Sequence, residues 1–495
     1  MKLPRPIALV VAVVFPALAI AMIAGCDPCP RCSSKKFRPT PTATISPTPT
    51  ATSTATATQT PTATPSPTPI TQSPGSGLFA VDCDNQLAYV PLLYSNDPET
   101  GNGRVSVLDL SVNPNTKDPR KATVVLSHPD SPTGTALDPT DHLIIVVSGS
   151  SGINGFVDVI DETTNQLVSG SPFTMPEGTE PGGTGQVVYD PVRKKAIIAV
   201  EEIAGCPSAG TCTGFLTFDP VAHTFSSVVS ANYAEAFALN PSTGLVIDGS
   251  DSDGQGQIGI VDITNTRACT LEDSNIGFDN DGTSIDPFTD VAVVSNEDGT
   301  ATVLNLNGST LATNPTPPPA CLVHEGGTIP NSTQITGLPS STAGSAVDPT
   351  THRAFLIEDD APGITLLSLP QSAATQLATP LPTPAISSIP NDPNGCSWGT
   401  QGDPYAVAVC SHDGYAVNQS SGGSQPATFL VQIDLDAFQS NPSAIATPLP
   451  GGQCFNTNSA FGCDNSNGVV FFPLPPDAEV STSCIAATPT ATPTP

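Results

Sequence analysis

The sequence predicts an all-β chain: a β-propeller of about seven four-stranded blades, with eight as the alternative count. Three observations carry that prediction. One strand–turn–strand pattern returns seven times, at steps of 46 to 63 residues. Each return is followed by a third apolar strand and, in most copies, by a looser fourth. No segment sustains helical periodicity. Four strands per unit at this spacing mark a propeller. A lone blade exposes two faces and two edges, and stacking blades around an axis buries the faces. Two β-sandwiches are the other all-β arrangement, and seven copies of one pattern argue against it.

The copies begin "LFAVDCDNQLAYVPLL" at Leu78, "GTALDPTDHLIIVVSG" at Gly134, "GQVVYDPVRKKAIIAVEE" at Gly185 and "EAFALNPSTGLVIDGS" at Glu235. They continue "GTSIDPFTDVAVVSNED" at Gly282, "GSAVDPTTHRAFLIEDD" at Gly344 and a weaker "YAVAVCSHDGYAVNQS" at Tyr405. Their turns fall at Asp82, Asp138, Asp190, Asn240, Asp286, Asp348 and Ser411. Third strands such as "GRVSVLDLSV", "GFVDVIDETT" and "TFLVQIDLDAF" end at Asp109, Asp161, Asp219, Asp262, Asn305, Ser368 and Asp434. Strands of this length, punctuated by Gly, Asp, Asn and Pro, read as antiparallel sheets. The innermost strands should be those directly before the turns, such as Ala136–Leu137 and Ser345–Val347, with the chain ends of the ring close together. After the seventh copy, "AFGCDNSNGVVFFPLP" (Ala460 to Pro475) echoes the first. It reads as a partial eighth unit or as an added strand that latches the ring.

The combination of "VSVLDL" with "ALDPT" and "HLIIVV" resembles the YVTN-like and lactonase-like seven-bladed propellers, over about residues 77–449. The matching residues are strand and turn positions, where Asp-Pro is a local device. The resemblance therefore implies a fold, and no catalytic residue carries over with it. It leaves open a lactonase-like hydrolase or isomerase with its site at the central channel, beside the main reading of a binding or scaffolding module without evident catalysis.

The ends give an address. "MKLPRPIALVVAVVFPALAIAMIAGC" has a basic start (Lys2, Arg5), an apolar run and small residues before Cys26, the plan of a signal peptide. An uncleaved anchor is the alternative, although Ile7 to Ala24 is near the lower limit for a span and contains Pro16. Ile23-Ala24-Gly25-Cys26 resembles a bacterial lipobox, which implies cleavage after residue 25 and lipidation of Cys26. Stable attachment takes two or more acyl chains. The expected organisation is a lipoprotein signal peptide over 1–25, a lipid-bearing Pro/Thr-rich linker over 26–75, the propeller over 76–485 and a Pro/Thr tail over 486–495. The expected place is the bacterial cell envelope, facing periplasm or exterior. Pro39 to Gly75 cannot form a core, and its 37 residues could extend about 115 Å. Cys26, Cys29 and Cys32 have an iron–sulfur-like spacing but no fourth cysteine nearby.

Charge is unevenly placed. From Ser76 onward the chain carries 9 basic and 44 acidic residues. Nucleic-acid binding is excluded on electrostatic grounds. Cations, basic proteins or simple solubility fit instead, and the propeller is expected to be a monomer. No H-E-x-x-H, G-x-S-x-G or P-loop motif is present. His142 and His352 fall in turns and read as exposed, and His412 reads as structural. His324 beside Glu325 lies in the excursion from Thr313 to Thr342, a loop that could overlie one face. Cofactors are none evident, with Ca2+ as the one candidate: the residues after each second strand should gather on one face. These are Glu201, Glu202, Asp248, Asp251, Asp253, Glu297, Asp298, Glu358, Asp359 and Asp360. Such a rim could hold calcium through several oxygens, attract a basic partner or be plain solvated turns. Ten cysteines follow Ser76, an even number in an exported chain. The candidate pairs are Cys206 with Cys212, Cys454 with Cys463, and Cys83 with Cys484 as a staple between the first blade and the end; the sequence does not fix the pairing and leaves room for buried free thiols.

Overall fold

The computed structural model describes residues 79–473 except 94–95, 113–118, 150–153, 182–186, 204–212, 232–235, 250–255, 279, 312–321, 324–331, 339–341, 359–362, 370–384, 389–403, 411, 419–428, 441–452, 458–459 and 466–468. The chain divides into residues 1–65 and 66–495, and every described residue belongs to the second unit. Cys26, the linker and the tail lie outside the described residues. So do Cys206, Cys212, Asp251, Asp253, His324, Glu325, Asp359, Asp360 and Cys484.

Blade 1 is a meander of Ala80–Asp82, Leu87–Pro91, Arg104–Asp109 and Arg120–Val125, antiparallel and paired in chain order. The meander recurs with inner strands Pro132–Asp138, Val187–Asp190, Phe237–Asn240, Asn280–Asp286, Thr342–Asp348 and Pro404–Cys410. Each inner strand touches the next, and Pro404–Cys410 returns to Ala80–Asp82, so seven blades close a ring. The inner strands are those directly before the turns, as the sequence predicts. Blades 2 and 3 split their fourth strand into two short pieces, Gln166–Leu167 with Phe173–Thr174 and Thr224–Phe225 with Val229–Ala231. The stretch echoing the first copy builds no eighth blade among the described residues. Val469–Pro473 is the fourth strand of blade 7, and Ala460–Asn465 and Gln453–Thr457 extend that sheet outward. Cys454 and Cys463 lie directly opposite each other in this added hairpin. The described helix is short, Leu435–Ser440.

The burial pattern explains why these strands read as apolar runs rather than as alternation. Second strands are covered on both faces: Leu143–Ser148 is buried from Ile144 onward and Val291–Asn296 throughout. Ile144 and Val146 pack toward blade 1, while Ile145 and Val147 pack toward blade 3. Period-two geometry thus sends each strand's side chains to two neighbours. Each fully buried Val, Ile or Leu stabilises by about 1.5–3 kcal/mol. Fourth strands lie outside and alternate, as in Arg120–Val125. At the axis the crowding selects small residues. A Cβ on Gly282 would come within 2.5 Å of the Gly344 Cα, so the inner strands of blades 5 and 6 approach backbone to backbone. There the Ser284 hydroxyl donates to Ser345 Oγ at 2.9 Å.

The repeated aspartates are turn organisers. Asp82 Oδ1 accepts the N–H groups of Asp84 and Asn85. Asp138, Asp190 and Asp286 accept those two and three residues on, and Asn240 and Asp348 accept one. This is the Asx turn, and proline in the next position presets φ for it. Four residues after the aspartate the chain turns left-handed, at Gln86, His142, Lys194, Asp290 and His352, with φ of 53 to 55°. Asp109, Asp161, Asp219 and Asp262 cap the next connection in the same way, and Asp434 caps the short helix Leu435–Ser440.

Ring closure differs from the sequence expectation. Cys83 is bonded to Cys410, with Cα atoms 5.5 Å apart, and not to Cys484. The reason is position: Cys410 ends the inner strand of blade 7, which lies beside the blade 1 turn that carries Cys83. Among the described residues, blades 1 and 7 share no strand. Their seam is this bond and the cluster of Phe79, Val81, Val90, Leu108, Ala408, Tyr415 and Leu430. Cys269 is also disulfide-bonded.

The double variant Cys83→Ala/Cys410→Ala should lose about 4 kcal/mol in denaturant unfolding, since the bond closes a very long loop of the unfolded chain. Asp286→Ala should cost about 3 kcal/mol, because two turn N–H groups and a histidine lose a charged partner. Asp219→Ala, at an exposed second hairpin, should cost about 1 kcal/mol on the same scale.

Candidate functional site

Each inner strand runs toward the Asp turns and each second strand returns, so the ring has a turn face and an opposite face. On the turn face, six of the seven blade junctions are bridged by polar groups. Between blades 1 and 2, Glu162 hydrogen-bonds with Asp82 and lies 3.2 Å from His142 Nδ1. Lys194 of blade 3 is 3.7 Å from Asp141 of blade 2. Arg193 binds Asp190 Oδ2 at 2.8 Å and reaches Pro241 O and Thr264 Oγ1 of blade 4. The Asn240 amide donates to Asp290 of blade 5 at 2.6 Å. His352 Nδ1 of blade 6 is 2.6 Å from Asp286 Oδ2 of blade 5. The Arg353 guanidinium donates to Asp436 of blade 7 at 2.7 Å. The seventh junction is Cys83–Cys410.

These bridges revise the reading of the histidines. His352 is only 19% exposed and ties two blades together, so it is not a free surface residue. His142 is 54% exposed but contacts Glu162, and His412, 67% exposed, lies 2.6 Å from Asp436. A further pair went unread in the sequence. Buried His128 sits with Nε2 2.6 Å from Asp158 Oδ2 and stacks on Phe156. The available signal was Asp158, an acid in the middle of the apolar strand Phe156–Asp161. Its partner precedes it by 30 residues.

Of the predicted rim residues, those on described strand ends and turns fall on the opposite face, apart from Asp248. Glu201 and Glu202 lie near the end of the second strand Lys195–Ile203 and Glu358 ends Arg353–Glu358, while Glu297 and Asp298 follow Val291–Asn296. Glu297 and Asp298 are exposed, and Asp298 accepts the Phe278 N–H at 3.1 Å. Asp248 departs from the expectation. It is fully buried at the end of Leu245–Asp248, and a Cβ on Gly259 would meet it at 3.1 Å. It is an interior residue of blade 4, not a rim carboxylate. The structure adds Asp97, Glu99, Glu177, Glu272 and Asp273 to this face, all exposed or half-buried. Among the described residues its one Lys or Arg is Arg104, which is 3% exposed. Arg120, Lys121, Arg193, Lys194, Lys195, Arg267 and Arg353 start second or fourth strands or occupy turns, all on the turn face. Among the described residues, no group of three or more His, Cys, Asp and Glu is arranged to hold a metal ion.

The Asp82–Glu162 pair gives a pH signature. Burial, then the neighbouring Asp82 carboxyl, pushes Glu162 up to about 7 against the opposing pull of His142. Burial alone would raise Asp82, but bonds from Glu162, Asn85 and Asp84 together hold it below the usual range. Glu162 Oε1 is buried without a donor, so the pair is best satisfied when it carries one proton. Glu162 has a raised folded pKa. Its contribution is therefore fully present below its ordinary value, near 4.5, and is lost as pH rises through about 7. Melting temperature should fall between about pH 5 and pH 8 in the wild type, and Glu162→Gln should flatten that slope.

No protein-family model matches the chain, and no curated protein matches its sequence. Among solved structures, the β-propeller domain of Myceliophteria thermophila Cps50 (Swd1) aligns over 70% of this chain and 93% of that domain. The identity is 9% and the TM-score 0.43. The fold assignment stands on the closed ring of seven blades itself.

Proposed function

We propose that the protein is an exported, lipid-tethered β-propeller that acts as a binding module, without catalysis of its own. Its acidic face would receive a basic protein segment. The carrying observation is the separation of charge between the faces: exposed lysines and arginines gather on the turn face, and the opposite face presents carboxylates. Turn-face carboxylates are largely engaged in turns and blade junctions. Those opposite have few cations to pair with, and like charges raise the potential that draws a cation in. The described acids are spread around the rim, which suits an extended polycation better than one metal ion; calcium is the competing ligand. The membrane-tether part of the reading rests on Cys26 and its preceding small residues.

An octalysine peptide titrated by calorimetry should bind, and the affinity should fall as salt rises. Glu99→Gln/Glu272→Gln/Glu297→Gln/Asp298→Asn should weaken it at least tenfold. Calcium heat without peptide heat would replace the peptide by the metal, and neither heat would leave this face without a ligand role. Separately, Cys26→Ser should move the protein from the detergent phase to the aqueous phase. Aqueous partitioning of the wild type would end the tether reading.

A further inference from the structure

The turn face has one irregularity with chemical consequences. In blades 1 and 6 the first hairpin encloses four residues, since Asp82 pairs with Leu87 and Asp348 with Arg353. In blade 7 Cys410 pairs with Asp413, and only two residues are enclosed. The blade 7 turn is therefore shorter than the turns on either side of it, and a notch opens between them. That notch is a cavity of about 340 Å³. The size falls within the range of small-molecule sites. Its floor is apolar, from Val81, Leu110 and Val409, and the Cys83–Cys410 bond lies in its wall. Its other lining residues include four aspartates and no lysine or arginine. Asp82 and Asp348 are engaged in their turns. Exposed Asp84 and half-buried Asp413 are placed to meet a ligand. Burial holds Asp413 above the usual carboxylate range, and Asp434 adds to this against the bond to Gln432. An incoming positive charge would relieve that cost.

We propose that this notch is a binding site for a monovalent organic cation, an alkylammonium or alkylguanidinium. Its apolar stem would lie on Val81, Leu110 and Val409, with its charge against Asp84 and Asp413. The cavity contributes what a carboxylate cluster alone lacks: an apolar floor that selects an organic cation over a hydrated metal ion. The site is separate from the acidic face and does not rest on the binding function proposed there.

The test is a ligand-observed NMR titration of the full chain with n-butylguanidinium, n-butylammonium and neutral n-pentanol. Both cations should bind at least tenfold tighter than the alcohol, a difference of about 1.4 kcal/mol. Asp84→Asn/Asp413→Asn should remove that preference. The acidic-face variant Glu99→Gln/Glu272→Gln/Glu297→Gln/Asp298→Asn should retain it, which separates the two sites. Asp84→Asn alone, in an exposed turn, serves if the double variant does not fold, and should weaken the cations at least threefold. A second arm uses N-acetyl-arginine amide. Binding as tight as n-butylguanidinium assigns the notch to a polypeptide side chain, and weaker binding assigns it to a free small cation. Equal affinity for cations and alcohol, or affinity unchanged in the variants, overturns the proposal.

Discussion

The structure depends on the fact that every blade has two apolar faces and must cover both. Ile144 and Ile145 are adjacent in one strand yet belong to cores shared with different neighbours. A row of blades leaves its first and last faces bare, and only closure covers them. In this chain the seam brings the first described strands against blade 7, and among the described residues no strand is exchanged between the end blades. What holds it is the Phe79–Leu430 cluster and the bond from Cys83 to Cys410. Six junctions are bridged by groups that can part and re-form. The seventh, where the chain's order alone gives no continuity, is covalent.

The repeated carboxylates serve two scales at once. Asp286 uses Oδ1 within its own turn and Oδ2 toward His352 of the next blade. Asp190 does the same, with Arg193 carrying the second bond on to blade 4. One residue type at one position therefore organises the hairpin and aligns neighbouring blades. This leaves the two faces chemically unlike. Most turn-face acids have partners of the opposite sign or backbone donors, Asp84 being an exception, whereas the opposite face holds acids with little countercharge. A charged surface that the fold does not need for its own stability is the surface most readily given to binding.

The short turn of blade 7 shows how a small departure from a repeat becomes a site. The blade 7 turn encloses two fewer residues than those of blades 1 and 6, and the cavity is lined by residues of all three blades. In the same blade the inner strand ends in Cys410, where the inner strands of the other blades end in aspartate or asparagine, and Cys410 makes the covalent bridge to Cys83. Cavity and clasp thus arise together, and a ligand in the notch would lie against the bond that closes the ring.

Much of the architecture was legible in the sequence, because blade stacking imposes the same local demands each time. The strands appear as apolar runs, Asx turns as Asp-Pro, and the blade count as the number of returns. The partners made across the ring were not legible. Cys83 finds Cys410 and not Cys484, and His352 finds Asp286, because closure brings together positions far apart in sequence. Asp248 looked like its rim neighbours, since sequence shows that an acid follows a strand but not whether the next blade covers it. Local pattern determined the blades, their order and the face on which the described strand-end acids stand. The tertiary ring alone decided which of those acids are buried, which are bridged and which remain open to a ligand, because each outcome depends on the blade next door.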